Sequence, residues 1–354
     1  MKILKQTLIL FALVLVSFGL KAQDIHFTQF YMSPLNLNPA MTGVSNCTSR
    51  VIGNFRNQWA PVLKSNAYNT FSLSYDQKMP VGRYDYFGIG GAFWGDVAGV
   101  HNFGTMTGKI SFSYSKKMGG YRKKASFLVI GAEGGLARRG LSTENFKFPD
   151  PNNGQLEVID NPNFFFGDLS AGILWFTMFN EYSNFYIGAA FNHLNQANQA
   201  FKRSVVDSLT GTVIRSIDDV NGLYSKFTFH GGGQFEIQPK ISILPYFVVF
   251  VQGPYLQVNA GTSLRFALGN SRKNKQAFEV GAWYRLGNQY EGKLYSDAFI
   301  ITTRFDYQNL GFGLSYDVNI SELRNASSAN NSLELSVIYN ICGNEHRGIY
   351  CPKF

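Results

Sequence analysis

The strongest constraint on the fold is a two-residue alternation of apolar and polar side chains that recurs along most of the chain. In residues 256–268, one set of alternate positions is mostly apolar, and the positions between them are mostly small or polar. A period of two places the two sets on opposite faces of a β-strand. The sequence therefore predicts an all-β protein. The same period recurs in residues 110–115, 227–237, 310–318 and 333–341.

The length of these segments separates a soluble β-sandwich from a membrane barrel. They run to roughly 10 to 15 residues, whereas strands of soluble proteins average about 5 to 6 and a tilted membrane strand needs about 9 to 11. Only 16% of the residues are charged, against about 25% in ordinary soluble domains. A transmembrane antiparallel β-barrel is therefore predicted. Its polar face carries isolated charges of both signs, at Arg265, Glu279, Arg285, Arg304 and Asp317.

About fourteen alternating segments can be separated, an even number, as bacterial outer-membrane barrels have. If the first segment runs outward, the connections at one end are short and those at the other end include four long ones. Short periplasmic turns and long extracellular loops are typical of such barrels. The predicted strands span 48–60, 67–78, 83–98, 103–118, 124–138, 164–178, 184–193, 224–238, 241–252, 255–269, 276–287, 296–306, 309–319 and 332–342. The long connections span 139–163, 194–223, 288–295 and 320–331.

The first 22 residues have the features of a secretory signal peptide. Lys2 and Lys5 precede an apolar run of about 14 residues, shorter than the ~20 that a membrane-spanning helix requires. Cleavage after Ala22 would remove three lysines and lower the net charge from +9 to +6, a modest and dispersed surplus that does not favour nucleic acid. The predicted organisation is a signal peptide (1–22), an N-terminal plug or periplasmic segment (23–47), an outer-membrane barrel (48–342) and a periplasmic C-terminal tail (343–354).

Three cysteines fit an oxidising compartment, where a disulfide can persist. Barrel closure brings the first strand to the last, so Cys47 is expected to pair with Cys342 or Cys351, the alternative being three separate thiols. No zinc-binding spacing is present. No catalytic, cofactor-binding or metal site is predicted, because none of the five histidines stands in a metal-binding motif. His230 is expected to be a hydrogen-bonded residue of the barrel interior, although a barrel lipase would also need such a histidine.

The glycines around residue 90 superficially suggest a phosphate-binding loop. Gly88, Gly90, Gly91 and Gly95 lack the Lys-Ser/Thr ending and the following helix that such a loop requires. Glycine within a strand also permits another backbone to approach closely. These glycines are therefore predicted to relieve crowding inside the barrel.

Four motifs together resemble those of one outer-membrane family, PorP/SprF, which serves type IX secretion and gliding. The first motif lies before the first strand, the second ends that strand, the third lies late in the chain, and the fourth is the Cys-Pro-Lys-Phe terminus, where Lys353 replaces the family's usual Arg. The motif residues are Phe30, Tyr31, Pro34, Asn38, Pro39, Ala40 and Gly43, then Arg56, Asn57, Gln58 and Trp59, then Tyr316, Asp317 and Asn319.

The resemblance implies a non-enzymatic barrel without cofactors in the cell outer membrane, surrounded by outer-membrane lipid. Its partners would be secreted client proteins with a C-terminal sorting domain, such as adhesins, and periplasmic proteins of the secretion machinery. Asn38-Pro39-Ala40 further resembles the plug motif of the FadL-type fatty-acid transporters. The alternatives are therefore a FadL-like transporter of hydrophobic ligands and a general porin. Client recognition is expected at the exposed rims, chiefly in 139–163 and 194–223, because the barrel wall faces lipid.

Overall fold

The structure is a computed structural model of the chain. It describes residues 24–121, 124–143, 148–149, 155–207, 210, 212–217, 220–269, 276–288, 294–325, 330–343 and 351–352. The predicted signal peptide, 1–22, lies outside the described residues, as does most of the predicted tail, 343–354. Within the described ranges, no helix is both long enough and apolar enough to cross a membrane.

Fourteen strands of the described chain form a closed barrel, as the alternation predicts. Each barrel strand overlaps one predicted strand, and each pairs antiparallel with its neighbours. The barrel strands are β1 (Ser49–Gln58), β2 (Tyr68–Val81), β3 (Asp85–Ala98), β4 (Phe103–Tyr121), β5 (Lys124–Gly140), β8 (Asn163–Met178), β9 (Asn184–Asn192), β12 (Lys226–Gln238), β13 (Ile241–Gln252), β14 (Tyr255–Ala267), β15 (Gln276–Asn288), β16 (Leu294–Tyr307), β17 (Leu310–Asn319) and β18 (Asn330–Ile341).

The barrel closes where β1 pairs with β18. Ser49 lies opposite Ile341 at one end of this seam, and Gln58 lies opposite Ser332 at the other. At the short-turn end, tight connections follow β2, β4, β8, β12 and β16. At the long-connection end, the chain makes two long excursions, 141–162 and 193–225. This asymmetry is the one expected for an outer-membrane barrel.

The two faces of the wall follow the alternation in the sequence. On β18, the side chain of Leu335 is 47% exposed, whereas its neighbour Ser336 is only 1% exposed. Leu264, Phe312 and Val337 are likewise exposed on the outer surface. Because an outer-membrane barrel presents its apolar face to lipid, these side chains form the lipid-facing surface, and their polar neighbours point into the lumen.

Arginine at Leu335 is expected to destabilise the barrel by about 2–4 kcal/mol, because this side chain lies mid-strand on the lipid face. The matched control is Ile341→Arg, on the same face at the end of the strand, where the cost should fall to about 0–1 kcal/mol. Urea unfolding in lipid vesicles measures both values. Equal costs at the two positions would contradict the membrane depth assigned to Leu335.

The two long excursions contain strands of their own, which corrects the prediction of plain loops over 139–163 and 194–223. Four short strands form a second sheet in the order β11, β10, β7, β6, which we name the outer sheet. It consists of β6 (Phe148–Pro149), β7 (Gln155–Ile159), β10 (Arg203–Asp207) and β11 (Val213–Ile217). β7 pairs with β10, so the first excursion is joined to the second.

Aromatic residues at the start of β8 contact the second excursion. Phe164, Phe165 and Phe166 belong to this barrel strand, in agreement with the predicted strand 164–178. Phe164 packs edge-on against Phe201 of the second excursion, with ring centroids 5.3 Å apart. Arg139 lies over the rings of Phe103 and Phe166. These aromatic groups therefore connect the barrel rim to the second excursion.

Candidate functional site in the barrel lumen

Residues 24–46, here called the lumen segment, contact the inner wall from one end of the barrel to the other. Asp24 meets Lys226 and Gln252, which lie at the long-connection end. At the middle of β1, the side-chain amide of Asn54 donates to the carbonyl of Met32. At the short-turn end, the Lys78 ammonium donates to the carbonyl of Ser45. The segment therefore descends through the lumen before β1 returns along the wall.

Aromatic stacking holds the part of the lumen segment around Tyr31. The Tyr31 ring stacks with the rings of both Tyr246 and Trp283, with centroid distances of 5.3 and 5.4 Å. Phe30 meets the same tryptophan edge-on at 5.8 Å. The Trp283 indole N–H donates to the Thr302 hydroxyl at 2.9 Å, so this polar group is satisfied inside the barrel. Trp283 therefore packs in the lumen and not in the lipid-boundary girdle.

An ionic cluster holds the start of the segment at the long-connection end. The Asp24 carboxylate lies 3.1 Å from the Lys226 ammonium and 3.3 Å from Nε2 of His193. His193 Nδ1 lies 2.9 Å from Asp168, which also contacts Lys109 at 3.2 Å. Burial of the imidazole opposes its protonation, but Asp24 and Asp168 outweigh that effect and raise the pKa of His193 to about 9. The ring is therefore a cation at neutral pH.

A second cluster of buried charges brings together residues far apart in the sequence. Glu334 accepts hydrogen bonds from the backbone N–H groups of Thr28 and Gln29, at 2.7 and 2.9 Å. Asp317 pairs with Arg285 at 2.7 Å and with Arg56 at 3.6 Å. Asp317 also accepts a hydrogen bond from the Thr28 hydroxyl. Two of the motif residues, Arg56 and Asp317, thus meet beside the segment that carries the first motif.

Asn38 fixes the centre of the segment. Its side-chain oxygen accepts from the backbone N–H of Ala40 at 2.8 Å and caps a short 3-10 helix, Pro39–Met41. Its side-chain nitrogen lies 3.1 Å from the Ile173 carbonyl and 3.0 Å from Nε2 of His230. Asn38 itself is extended, with φ −158° and ψ 122°, which suits a residue that precedes proline.

Glycines in the wall allow this close approach. An added Cβ at Gly131 would lie 2.5 Å from the backbone of Pro39 and Ala40. At Gly172 it would lie 2.0 Å from the side-chain oxygen of Asn38. Gly88 would likewise meet the carbonyl of Thr42 at 2.3 Å. Because real Cβ atoms do not approach so closely, any larger residue at these positions would displace the segment or the strand. Gly88 therefore relieves crowding as predicted from the sequence.

The segment ends in a third set of polar contacts at the short-turn end. Arg50 pairs with Asp76 at 2.8 Å and donates to the carbonyl of Met41. The second Asp76 oxygen accepts from the backbone N–H of Gly43, whose φ of 71° is readily adopted only by glycine.

The cysteines lie at this same end. Cys47 is bonded to Cys342, with Cα atoms 4.3 Å apart. Cys351 is buried, and its backbone N–H donates to the side chain of Asn46 at 2.7 Å. Of the two pairings left open by the sequence, the structure thus has Cys47–Cys342.

The remaining motif residues lie at the ends of β1 and β17, on the outer face of the barrel, and within the lumen segment. Asn57 bonds the side chain of Asn69 at 2.7 Å, at the end of β1 with Gln58 and Trp59. Trp59 adopts a left-handed backbone with φ 62° and begins the connection to β2. Tyr316 is exposed on the lipid face, whereas Asn319 is buried at the end of β17. Pro34 begins the short helix Pro34–Leu37 within the lumen segment.

Among the described residues, no group of three or more His, Cys, Asp or Glu side chains could hold a metal ion. The buried carboxylates are instead matched by arginine and lysine. The arrangement binds one part of the chain to another.

The sequence matches the family model of the type IX secretion system membrane protein PorP/SprF over residues 19–339. The chain belongs to the PorP/SprF family. The match covers the lumen segment and nearly the whole barrel, and the barrel fold agrees with a location in the outer membrane. No curated protein matches this family member closely enough to count as a relative.

Several solved outer-membrane barrels are similar in shape to this PorP/SprF protein. The Pseudomonas putida toluene transporter TodX is 10% identical, with a TM-score of 0.46 over 87% of this chain and 92% of the other. CdiB from Escherichia coli is 8% identical, with a TM-score of 0.44 over 82% of this chain and 63% of the other. These values are too low to support any conclusion on what this chain transports or secretes.

Proposed function

We propose that this protein is a non-enzymatic component of the type IX secretion and gliding machinery that helps secrete client proteins or hold them at the cell surface. Membership of the PorP/SprF family is the observation that carries the proposal. The short-turn end would face the periplasm and the machinery there. The long-connection end would face outward, where clients with a C-terminal sorting domain would be held.

The lumen segment would act as a permanent plug. A barrel of fourteen strands is wider than the eight-stranded barrels that side chains alone can fill, so an additional element is needed to close it. The contacts at both ends and at the centre of the segment support this role. Beside Asp24 a small cavity of about 30 Å³ remains, lined by Trp94, Arg139 and His193. A filled lumen favours a docking component over a porin.

The outer sheet is the best candidate for the client-binding surface. Strand β11 pairs with β10 on one side, and no described strand pairs with its other side. Its side chains Val213 and Ile214 are 62% and 51% exposed. A strand edge offers unpaired backbone groups to which an extended segment of another protein can add, and exposed apolar side chains give such pairing its specificity.

Introducing charge on β11 tests the proposed client binding. We expect Val213→Asp with Ile214→Asp to abolish retention of at least one exported protein, because the charges disrupt an apolar edge. The control is Val100→Asp, at a 73% exposed position in another connection of the same end. Tagged variants are isolated from native outer membranes, and the bound proteins are identified by mass spectrometry. An unchanged set of clients, with normal membrane insertion, would contradict the role of β11. Normal clients with impaired uptake of small hydrophobic compounds would favour the transporter.

A further inference from the structure

Two neighbouring turns at the short-turn end form a basic surface that the lumen does not use. The sequence stretches 79–86 and 115–125 contain the basic residues Arg83, Lys116, Lys117, Arg122, Lys123 and Lys124 but a single acidic residue, Asp85. β3 pairs with β4 and β4 with β5, so the described members Arg83, Lys116, Lys117 and Lys124 lie on adjacent strand ends. We name these four residues the basic turn cluster.

The basic turn cluster has a defined geometry. The Lys117 ammonium lies 4.0 Å from the centre of the Tyr84 ring, and the Arg83 guanidinium lies 5.2 Å from the same centre. Lys116 pairs with Asp85 at 2.9 Å. The same carboxylate accepts a hydrogen bond from the Tyr114 hydroxyl at 2.9 Å. Asp85 neutralises one cation of the cluster, so an excess of positive charge is left around Tyr84.

The cluster continues directly into the lipid-facing surface. Lys116 lies on the same face of β4 as the exposed Tyr114, and its side chain is 60% exposed. Met79 and Val81 of the adjoining β2 are also exposed on the outside of the barrel. An apolar surface bordered by tyrosine and then by Lys and Arg is the arrangement found where a barrel leaves the hydrocarbon layer and meets the lipid headgroups.

We propose that the basic turn cluster binds the phosphodiester headgroup of an anionic glycerophospholipid, with an acyl chain along Met79 and Tyr114. The phosphate would lie among Lys116, Lys117 and Arg83, since clustered Lys and Arg near a membrane surface attract anionic headgroups. Charge complementarity and continuity with the lipid-facing wall favour a lipid over an acidic protein, because a protein bound at the turns would leave the exposed Met79 and Tyr114 uncovered. Headgroup binding would anchor this end of the barrel in the membrane and does not depend on client binding.

The test uses the full-length protein in neutral phosphatidylcholine nanodiscs, with phosphatidylglycerol as the probe. Native mass spectrometry measures how much phosphatidylglycerol remains bound. The triple variant Arg83→Gln, Lys116→Gln, Lys117→Gln should bind it roughly ten- to hundredfold more weakly, and salt should weaken wild-type binding. The charge-matched control, Lys64→Gln, Arg138→Gln, Arg215→Gln, removes three exposed cations from the long-connection end and should leave binding unchanged.

The conservative variant Lys116→Arg with Lys117→Arg keeps the charge and should retain binding, which separates loss of the site from loss of folding. Equal weakening by the glutamine triple variant and its control would overturn the proposal, because binding would then follow net charge. Unaltered phosphatidylglycerol binding by the glutamine triple variant would overturn it as well. So would a wild-type preference for lipid A, or loss of an acidic periplasmic protein while phosphatidylglycerol binding persists.

Discussion

Leucine at both Gly131 and Gly172 is expected to expel the lumen segment and to open the barrel to ions. The new side chains would occupy the positions of Pro39, Ala40 and the Asn38 side chain, because even a Cβ atom at these glycines lies 2.5 Å or less from them. Without the segment, a fourteen-stranded barrel lies in the size range between filled barrels and water-filled porins. We therefore expect the wild-type protein to be electrically silent and the variant to give clear current steps.

Current recordings in planar bilayers measure this effect. The control is Gly53→Leu, also in a barrel strand, because an added Cβ there meets no atom within 4 Å. The Gly53→Leu variant should give no current steps. Deletion of residues 24–46 provides a second route to an open lumen if the leucine variant fails to insert. A deletion variant that inserts normally and remains silent would show that the segment does not close the barrel.

Replacing Arg285 with methionine is expected to destabilise the protein by about 3–5 kcal/mol. Arg285 is fully buried and pairs with Asp317 at 2.7 Å, so its removal leaves a buried carboxylate with less compensation. The exposed pair between Lys116 and Asp85 offers a control of the same chemistry. Lys116→Met should leave the free energy of unfolding nearly unchanged, since solvent screens a surface pair.

Urea unfolding of both variants in lipid vesicles gives the two free energies. The double variant Arg285→Met with Asp317→Leu removes both members of the pair and should recover part of the lost stability, although it also removes the Asp317 carboxylate from Arg56. Equal and small losses at Arg285 and Lys116 would mean that the lumen cluster is hydrated and contributes little to the stability of the barrel.

The barrel could be predicted because the alternation of apolar and polar residues that specifies it is a local property of each strand. Alternation along each strand reports which side chains face lipid, and long segments such as 241–252 report the thickness of the membrane. The boundaries of β13, Ile241–Gln252, coincide with the predicted ones. The outer sheet was missed because its strands are two to five residues long and pair between two separate excursions. Such short strands carry too few alternating positions to be recognised.

The lumen contacts were only partly accessible from the sequence. Alternation placed Arg285 and Asp317 on the inner face, and the family motifs singled out Asp317 and Arg56. Nothing in the order of the residues indicates that Glu334 would bind the backbone of Thr28, because the contact spans 306 positions. The contact of Asn38 with His230 was unforeseen for the same reason, although His230 was expected to face the lumen.

We expect residues 24–46 to lie inside the barrel and to close it in the membrane. A cryo-EM map of the mature protein in a lipid nanodisc would show where this segment lies. We predict continuous density from Asp24, beside Lys226 and His193, past Asn38 at the level of Gly172, to Ser45 beside Lys78. An empty lumen, or a segment placed in the periplasm beside an open barrel, would contradict this expectation.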